Sequence, residues 1–238
     1  MGHSDRPETL RDDVITVGRS AGLDMVGVAE AQVLMRARLA LESRKQAGLH
    51  DGMQFTYKNP ERSTNPFAAV EGARSIIVGA RAYQRREPSR PAGLQVRVAR
   101  YAWLDHYAPL RGALWEIARD LRRRGYRAVA YADDNTVVDR EVAYRAGIGW
   151  FGKNANLLVP GRGSWYVLGC VITDAVLKPS RPVEDGCSTC RRCLDGCPTG
   201  AIIEPGVIDA RRCLAWLVQR PGVFPAEYRE VLGDRIYG

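Results

Sequence analysis

The sequence predicts an α/β (α+β) domain with a smaller, cysteine-rich segment appended to it. Two observations carry that reading. As far as about Pro179, short apolar runs alternate with amphipathic helical stretches, as in a sheet covered by helices. From Pro182 onward the alternation stops, and four of the six cysteines fall between Cys187 and Cys197. The division expected is therefore residues 1–179 and residues 180–238. A chain of 238 residues is long enough for one sizeable core and a small satellite.

Taken in order, Pro7–Ala21 reads as a first helix, with Leu10, Val14, Ile15 and Val17 roughly on one side and Gly22 ending it. Met25–Ala29 is a short buried strand, and Ala31–Ala47 a second amphipathic helix. Gly48–Pro66 is polar, anchored by Met53, Phe55 and Tyr57, and its Asn59-Pro60 and Asn65-Pro66 steps predict an irregular loop. Ala73–Ala80 is a near-continuous apolar run, as in a fully buried strand, and Gln84–Gln95 is a charged surface loop. Arg100–Trp103 leads into a long helix over about Asp105–Arg124, with Tyr107, Leu110, Leu114, Ile117 and Leu121 at helical spacing. Gly125 closes it. Arg127–Tyr131 is a strand, and Val138–Arg145 a short helix stopped at Gly147. Asn156–Val159 and Ser164–Thr173 flank Pro160-Gly161-Arg162-Gly163, which predicts a hairpin. Thr199–Ile203 reads as a short strand, and Ile208–Arg220 and Ala226–Leu232 as helices.

The composition is globular, with 45% hydrophobic and 26% charged residues. No apolar run is long enough to span a membrane, and the N-terminus has no apolar signal core. A net charge of +8 favours polyanionic partners. The basic clusters are short: Arg85-Arg86, Arg122-Arg123-Arg124, Arg191-Arg192 and Arg211-Arg212. Each taken alone reads as a solvated face. No G-x4-G-K-[ST] string occurs, and the G-x-G-x-x-G string from Gly147 to Gly152 follows a helix rather than a strand. A P-loop and a Rossmann nucleotide site are both disfavoured.

Two segments carry chemistry. The first, Cys187 to Pro198, reads C-x2-C-x2-C-x3-C-P, the spacing by which bacterial ferredoxins hold iron–sulfur clusters. Three closely spaced thiolates curl round one cubane, and the fourth lies too far along to close the same cube. Disulfides or a zinc site are the alternatives, but zinc ribbons separate their cysteine pairs by longer stretches. A ferredoxin-like 4Fe-4S segment is the reading, and oxygen-sensitive clusters indicate a reducing, cytoplasmic location. The second segment is Val137–Asn154. Its Gly147, Gly149 and Gly152 permit close backbone approach, Lys153 and Asn154 add donors, and Trp150 and Phe151 form a wall suited to a large flat ligand. Asp139 follows two valines at a strand-to-helix junction. It reads either as a helix N-cap or as a partly desolvated carboxyl with a raised pKa. Cys170 is most simply a buried core thiol.

Along nearly its whole length the chain resembles the epoxyqueuosine reductases. The resemblance rests on Asn65-Pro66, Gly72–Ile77, Ala99–Ala102, Asp139–Asn154, Gly163–Trp165, the cysteine motif through Ile202, Asp209–Cys213 and Gly233–Gly238. It implies a cobalamin-binding α/β catalytic domain beside the clusters, and reduction of epoxyqueuosine to queuosine in a tRNA anticodon, the last step of queuosine biosynthesis. Electrons pass through the clusters to cobalamin, and Asp139 matches the family's proton donor. Tyr101, Asp139, Lys153, Asn154 and Ser164 are the expected cofactor pocket, and Cys187, Cys190, Cys193, Cys197 and Cys213 the expected metal ligands. The histidines, His3, His50 and His106, lie outside these motifs, which fits a cofactor without a protein imidazole ligand. A tRNA partner turns Arg191-Arg192 and Arg211-Arg212 into candidates for phosphate contacts. A flavodoxin or ferredoxin is the expected electron donor, and the protein is expected to be a monomer.

The family carries a second run, C-x2-C-x3-C-P, and this sequence stops at Gly238, where that run would begin. By the family's two-cluster pattern, Cys187, Cys190 and Cys193 serve one cluster, and Cys197 and Cys213 the other. Both are incomplete as written, so the sequence reads as truncated before the second cysteine run. A different class of function, a ferredoxin-like carrier without a substrate of its own, would need neither cobalamin nor Asp139. Reductive dehalogenases share the cofactor pair but are typically exported with a twin-Arg signal, which is absent here.

Overall fold

The computed structural model describes residues 6–86, 93 and 95–237. His3, residues 87–92 and 94 of the expected surface loop, and Gly238 lie outside the described residues. In chain order the principal elements begin with α1 (Pro7–Ser20), β1 (Met25–Glu30), α2 (Met35–Gln46), β2 (Ser75–Ala82) and β3 (Arg97–Val98). They continue with α3 (Tyr107–Arg123), β4 (Ala128–Ala132), α4 (Asp139–Arg145), β5 (Trp150–Phe151), β6 (Leu157–Leu158) and β7 (Tyr166–Thr173). The cysteine-rich part adds β8 (Ile202–Glu204), β9 (Val207–Ile208) and β10 (Arg235–Tyr237), joined by single helical turns.

The central sheet runs β1-β2-β7-β4, and every neighbouring pair is antiparallel, which puts the fold on the α+β side of the class expected. Successive residues of a strand point to opposite faces, and both faces are covered. Ile76 and Val78 of β2 and Cys170 and Ile172 of β7 pack toward α2 and α4. Ile77 and Val171 pack on the other face with Leu10 and Val14 of α1 and Leu110, Leu114, Ile117 and Leu121 of α3. Those four α3 side chains are fully buried, each contributing about 1.5–3 kcal/mol relative to exposure. Burial on two sides explains why β2 reads as a continuous apolar run rather than an alternating one. Asp105 starts α3, its Oδ1 accepting the backbone N–H groups of Tyr107 and Ala108 at 3.0 and 2.9 Å.

Several expectations need correcting. The second helix begins at Met35 rather than Ala31, because Ala31 still donates to the Arg74 carbonyl and extends the β1 ladder. Gly48–Pro66 contains single helical turns at Phe55–Lys58 and Pro60–Ser63. The Asn-Pro steps start such turns: Asn59 Oδ1 accepts from Arg62 N, and Asn65 Oδ1 from Phe67 N. The hairpin around Pro160–Gly163 is reduced to one bridge, Val159 to Gly163. β6 pairs instead with β5, and β7 inserts between β2 and β4, where both its faces are buried. Ile208–Arg220 is not one helix. Asp209 Oδ1 accepts from Arg211 N and starts a separate turn, and the single helical turn Leu214–Leu217 follows.

One of the contacts that hold the cysteine-rich segment against the sheet domain is at Asp51. Asp51 Oδ2 accepts from Trp216 Nε1 at 2.9 Å and Arg220 Nη1 at 2.8 Å, and Leu49 O accepts from Ala210 N. Among the described residues no helix is long and apolar enough to cross a membrane.

Candidate active site and cluster segment

Asp139 opens α4 but does not cap it. Val138 holds the cap position, and the Asp139 side chain makes no capping hydrogen bond. The loop before it is pinned from below: Ser63 Oγ donates to Asn135 O at 2.6 Å, and Val138 N donates to Ser63 O at 3.1 Å. Asp139 is half-buried and keeps some solvent contact. Burial, reinforced by the charges of Asp133 and Asp134 and opposed by Arg140, pushes its pKa well above the ordinary carboxylate value. The dipole at a helix N-terminus acts the other way but contributes about 0.3–1 kcal/mol, too little to offset such burial. The N-cap alternative is thereby replaced by the desolvated carboxyl.

The surroundings respond to Asp139. Burial first, then the carboxylates of Asp133 and Asp139, push Tyr107 up to about 12. Cys170, fully buried as expected, is raised by burial and by Asp139. Periodicity marks Tyr107 as a core residue, and no spacing signal singles out Tyr83, Asp133 or Arg140.

Beyond Tyr83 the surface opens into a cavity of about 350 Å³ lined by Tyr83, Tyr101, Trp103, Trp165 and Tyr237 with Arg97, Arg100 and Arg235. The rings meet edgewise: Tyr83 lies 5.8 Å from Trp165 and 6.3 Å from Tyr101, centroid to centroid. Burial and a hydrogen bond with Tyr237 raise the Tyr101 hydroxyl. Ser164 frames the same wall through its carbonyl, which accepts from Tyr83 Oη at 3.3 Å. His106 is buried behind Tyr83, 5.9 Å between rings. Pockets for drug-sized ligands run from about 300 to 1,000 Å³. This one has room for one ring system or one edge of a larger cofactor, and flat aromatic walls edged by cations fit the amide-fringed macrocycle of a cobalamin.

The glycines of Gly147–Gly152 make room for the chain itself, not for a ligand. A Cβ on Gly149 would stand 2.2 Å from Leu158 O, and one on Gly147, at φ +70°, 2.1 Å from Arg181 O. Trp150 and Phe151 likewise have protein partners. Trp150 Nε1 donates to Cys187 Sγ at 3.4 Å, and Phe151 packs on Tyr144 beneath the Arg36 guanidinium. Asn154 Oδ1 accepts from Asn156 N. Lys153 Nζ donates to the carbonyls of Ser188 and Cys190. Asp139 thus acts on Tyr107, whereas Lys153 belongs to the junction with the cysteine loop and Asn154 to its own turn.

The six cysteines are unpaired. Among the described residues no three potential ligands are gathered at metal-holding distance. The sulfur environments nonetheless suit thiolate ligands. Cys197 Sγ accepts from Ala201 N at 3.2 Å. Burial works to raise the Cys197 pKa, but backbone N–H groups of Ile202, Ala201 and Thr199 together bring it below the usual thiol value. The Trp150 N–H on Cys187 provides the same kind of support. Arg211 is paired with Asp209 at 2.8 Å and Arg191 with Asp195 at 3.2 Å, with the arginine side chains more than half exposed.

Residues 186–238 match the family of 4Fe-4S double cluster binding domains. The chain is 35% identical over 238 residues to an epoxyqueuosine reductase of Bacillus anthracis, covering 97% of this chain and 62% of that one. It is 32% identical to an epoxyqueuosine reductase of Lactococcus garvieae, covering 97% of this chain and 67% of that one. A crystal structure of epoxyqueuosine reductase with a tRNA-Tyr epoxyqueuosine-modified stem loop superposes with a TM-score of 0.91 at 32% identity, over 96% of this chain and 62% of that one. A reductive dehalogenase, whose structure suggested a mechanism for B12-dependent dehalogenation, shares the fold at 18% identity and a TM-score of 0.59, over 91% of this chain and 30% of that one. The chain thus spans about 62% of the length of the first of these relatives.

Proposed function

This chain belongs to the epoxyqueuosine reductase family, and from that premise we propose that it reduces the epoxide of epoxyqueuosine in a tRNA anticodon to the cyclopentene-diol of queuosine. The observation that carries the reading is Asp139, a desolvated carboxyl whose charge acts on Tyr107, itself linked electrostatically to Tyr83 of the aromatic cavity wall. The reaction takes up two electrons and two protons and releases water. When bound, cobalamin supplies the low-valent metal centre that reduces the epoxide carbon, and 4Fe-4S clusters supply it with electrons.

The chain's own residues do the rest. Asp139, its pKa raised by burial and by the charges of Asp133 and Asp134, gives its proton to the epoxide oxygen as the C–O bond opens. Tyr101 lines the cavity and Ser164 supports it through Tyr83, Lys153 reaches the cluster loop, and Asn154 shapes the turn beside Lys153. Cys187, Cys190, Cys193, Cys197 and Cys213 are the thiolates that would hold the clusters. The exposed guanidiniums of Arg191 and Arg211 lie beside the cysteine segment, where phosphate contacts with tRNA are needed. A flavodoxin or ferredoxin donor, action as a monomer and a cytoplasmic location complete the reading. Division into a catalytic domain over residues 1–179 and a cluster domain over residues 180–238 accords with the docking corner at Asp51.

The test is anaerobic turnover of epoxyqueuosine-containing tRNA by protein reconstituted with iron, sulfide and cobalamin, with nucleosides counted by mass spectrometry. Queuosine that appears only with cobalamin present supports the reading. Cluster incorporation without cobalamin binding or queuosine would instead make the protein an electron carrier.

A further inference from the structure

We propose that Lys153 and Trp150 form a latch that ties the sheet domain to the Cys187–Cys190 loop and biases a cluster held there toward its reduced state. The inference rests on the iron–sulfur reading of the function for its second half alone. The latch itself stands on contacts. Lys153 Nζ donates to Ser188 O at 2.7 Å and to Cys190 O at 2.9 Å. Lys153 O in turn accepts from Gly206 N at 2.8 Å, so one residue joins both sides of the cysteine segment.

Ser188 is one of few non-glycine residues at positive φ, +38°. That conformation is costly for a residue with a Cβ, and the ammonium on its carbonyl helps hold it. Trp150 grips the same loop from the other side. Its Nε1 donates to Cys187 Sγ, and its ring lies so close to Gly186 that a Cβ there would stand 2.7 Å from Cζ2. Trp150 and Lys153, three residues apart, therefore both seat the loop of cysteines.

The electrostatic consequence has a sign. One-electron reduction adds a negative charge to a cluster. A fixed ammonium on two carbonyls of the ligand loop, and an N–H directed at a ligating sulfur, both stabilise that charge and raise the reduction potential. Lysine provides the positive charge as a compact ammonium, and arginine would preserve the charge with a different reach.

Two measurements on the full chain test this. In the metal-free protein, Lys153→Met is expected to speed iodoacetamide alkylation of the half-buried Cys187 at least fivefold relative to Cys213, while Lys153→Arg stays within about twofold of the parent. In the reconstituted protein, potentiometry followed by paramagnetic resonance should show Lys153→Met lowering the reduced-to-oxidised ratio about tenfold at fixed potential, equivalent to about 59 mV for one electron. Trp150→Phe should lower it about threefold. Unchanged alkylation rates in Lys153→Met would overturn the latch, and an unchanged potential would overturn the bias. If the unmodified chain takes up no iron, the iron–sulfur reading and the bias fall together, and the alkylation ratio still decides the latch.

Discussion

Arg36 and Glu141 are joined by a forked contact, with Nε and Nη2 of the arginine both donating to Glu141 Oε2, at 3.1 and 2.6 Å. Arg145 Nε takes the other oxygen at 3.0 Å, and the Arg36 guanidinium lies 4.2 Å above the Tyr144 ring. Glu141 is buried in the short helix that Asp139 opens. The cluster of charges therefore fixes the helix whose first residue is the proposed acid.

Glu141→Ala should destabilise the protein by about 2 kcal/mol, less than the 3–5 kcal/mol typical of breaking a fully buried pair. Both arginines keep solvent access and can rehydrate. At this chain length the melting temperature should fall by roughly 4–8 °C. A change under one degree in calorimetry would show that the ion cluster does not stabilise the helix that Asp139 opens.

Asp139→Asn should lower epoxide reduction by roughly 10²–10⁴-fold, the usual contribution of a positioned acid. Iron content and cobalamin uptake should remain unchanged. The same substitution should raise thermal stability at neutral pH. A carboxyl whose pKa is raised on folding costs stability increasingly as pH rises above its unfolded value of about 3.9, and asparagine does not ionise. A rate equal to the parent's would end the proton-donor assignment.

Asp133→Asn addresses the cause of that raised pKa. Removing a neighbouring negative charge makes ionisation of Asp139 easier. The alkaline limb of the pH–rate profile should accordingly move to lower pH, with severalfold lower turnover on that limb and an unchanged acid plateau. A limb displaced to higher pH would mean that Asp133 does not hold Asp139 in its neutral form.

Gly149→Ala should cost about 2 kcal/mol or more, because the added methyl would meet the Leu158 carbonyl and backbone must shift. Gly112→Ala, in the exposed interior of α3 with no atom within 4 Å of the new Cβ, should instead stabilise by about 0.5–1 kcal/mol. Denaturant unfolding of the pair distinguishes packing against chain from packing against ligand. If Gly149→Ala were neutral in the cofactor-free protein yet blocked cobalamin binding, Gly149 would face the cofactor.

Thiol counting gives a further check. In the metal-free native protein, five of the six cysteines should react with a small thiol reagent, and Cys170 should react only after unfolding, since it is the one buried thiol. Six fast thiols would mean that the β7 core is open.

Periodicity makes the sheet and the long helix legible because their burial is regular. Leu110, Leu114, Ile117 and Leu121 repeat at helical spacing, and Ile76–Val78 run unbroken because helices cover both faces. The turn chemistry of Pro160–Gly163 points to a hairpin that does not form, because it says nothing about which distant strand a segment will join. β7 pairs with β2 along eight residues and is buried there, while β6 pairs with β5. In the site, Asp139 stands out by its junction, whereas Asp133, Tyr83 and Tyr107 act through proximity that no sequence spacing encodes. Lys153 and Trp150 are visible in the sequence as chemistry but not as geometry, since their partners lie more than thirty residues further along.

The pairing of β10 with β3 ties the cavity to the folding of the cluster segment. Arg97 N donates to Asp234 O and Ala99 N to Tyr237 O, and Tyr237 completes the wall beside Tyr101. In hydrogen-exchange terms these amides belong to one cooperative unit with residues 234–237. Their protection cannot outlast the docking of that stretch. The Tyr101–Tyr237 wall of the cavity and the cysteine-rich segment should therefore open and close together, even though Asp139 is carried by the sheet domain.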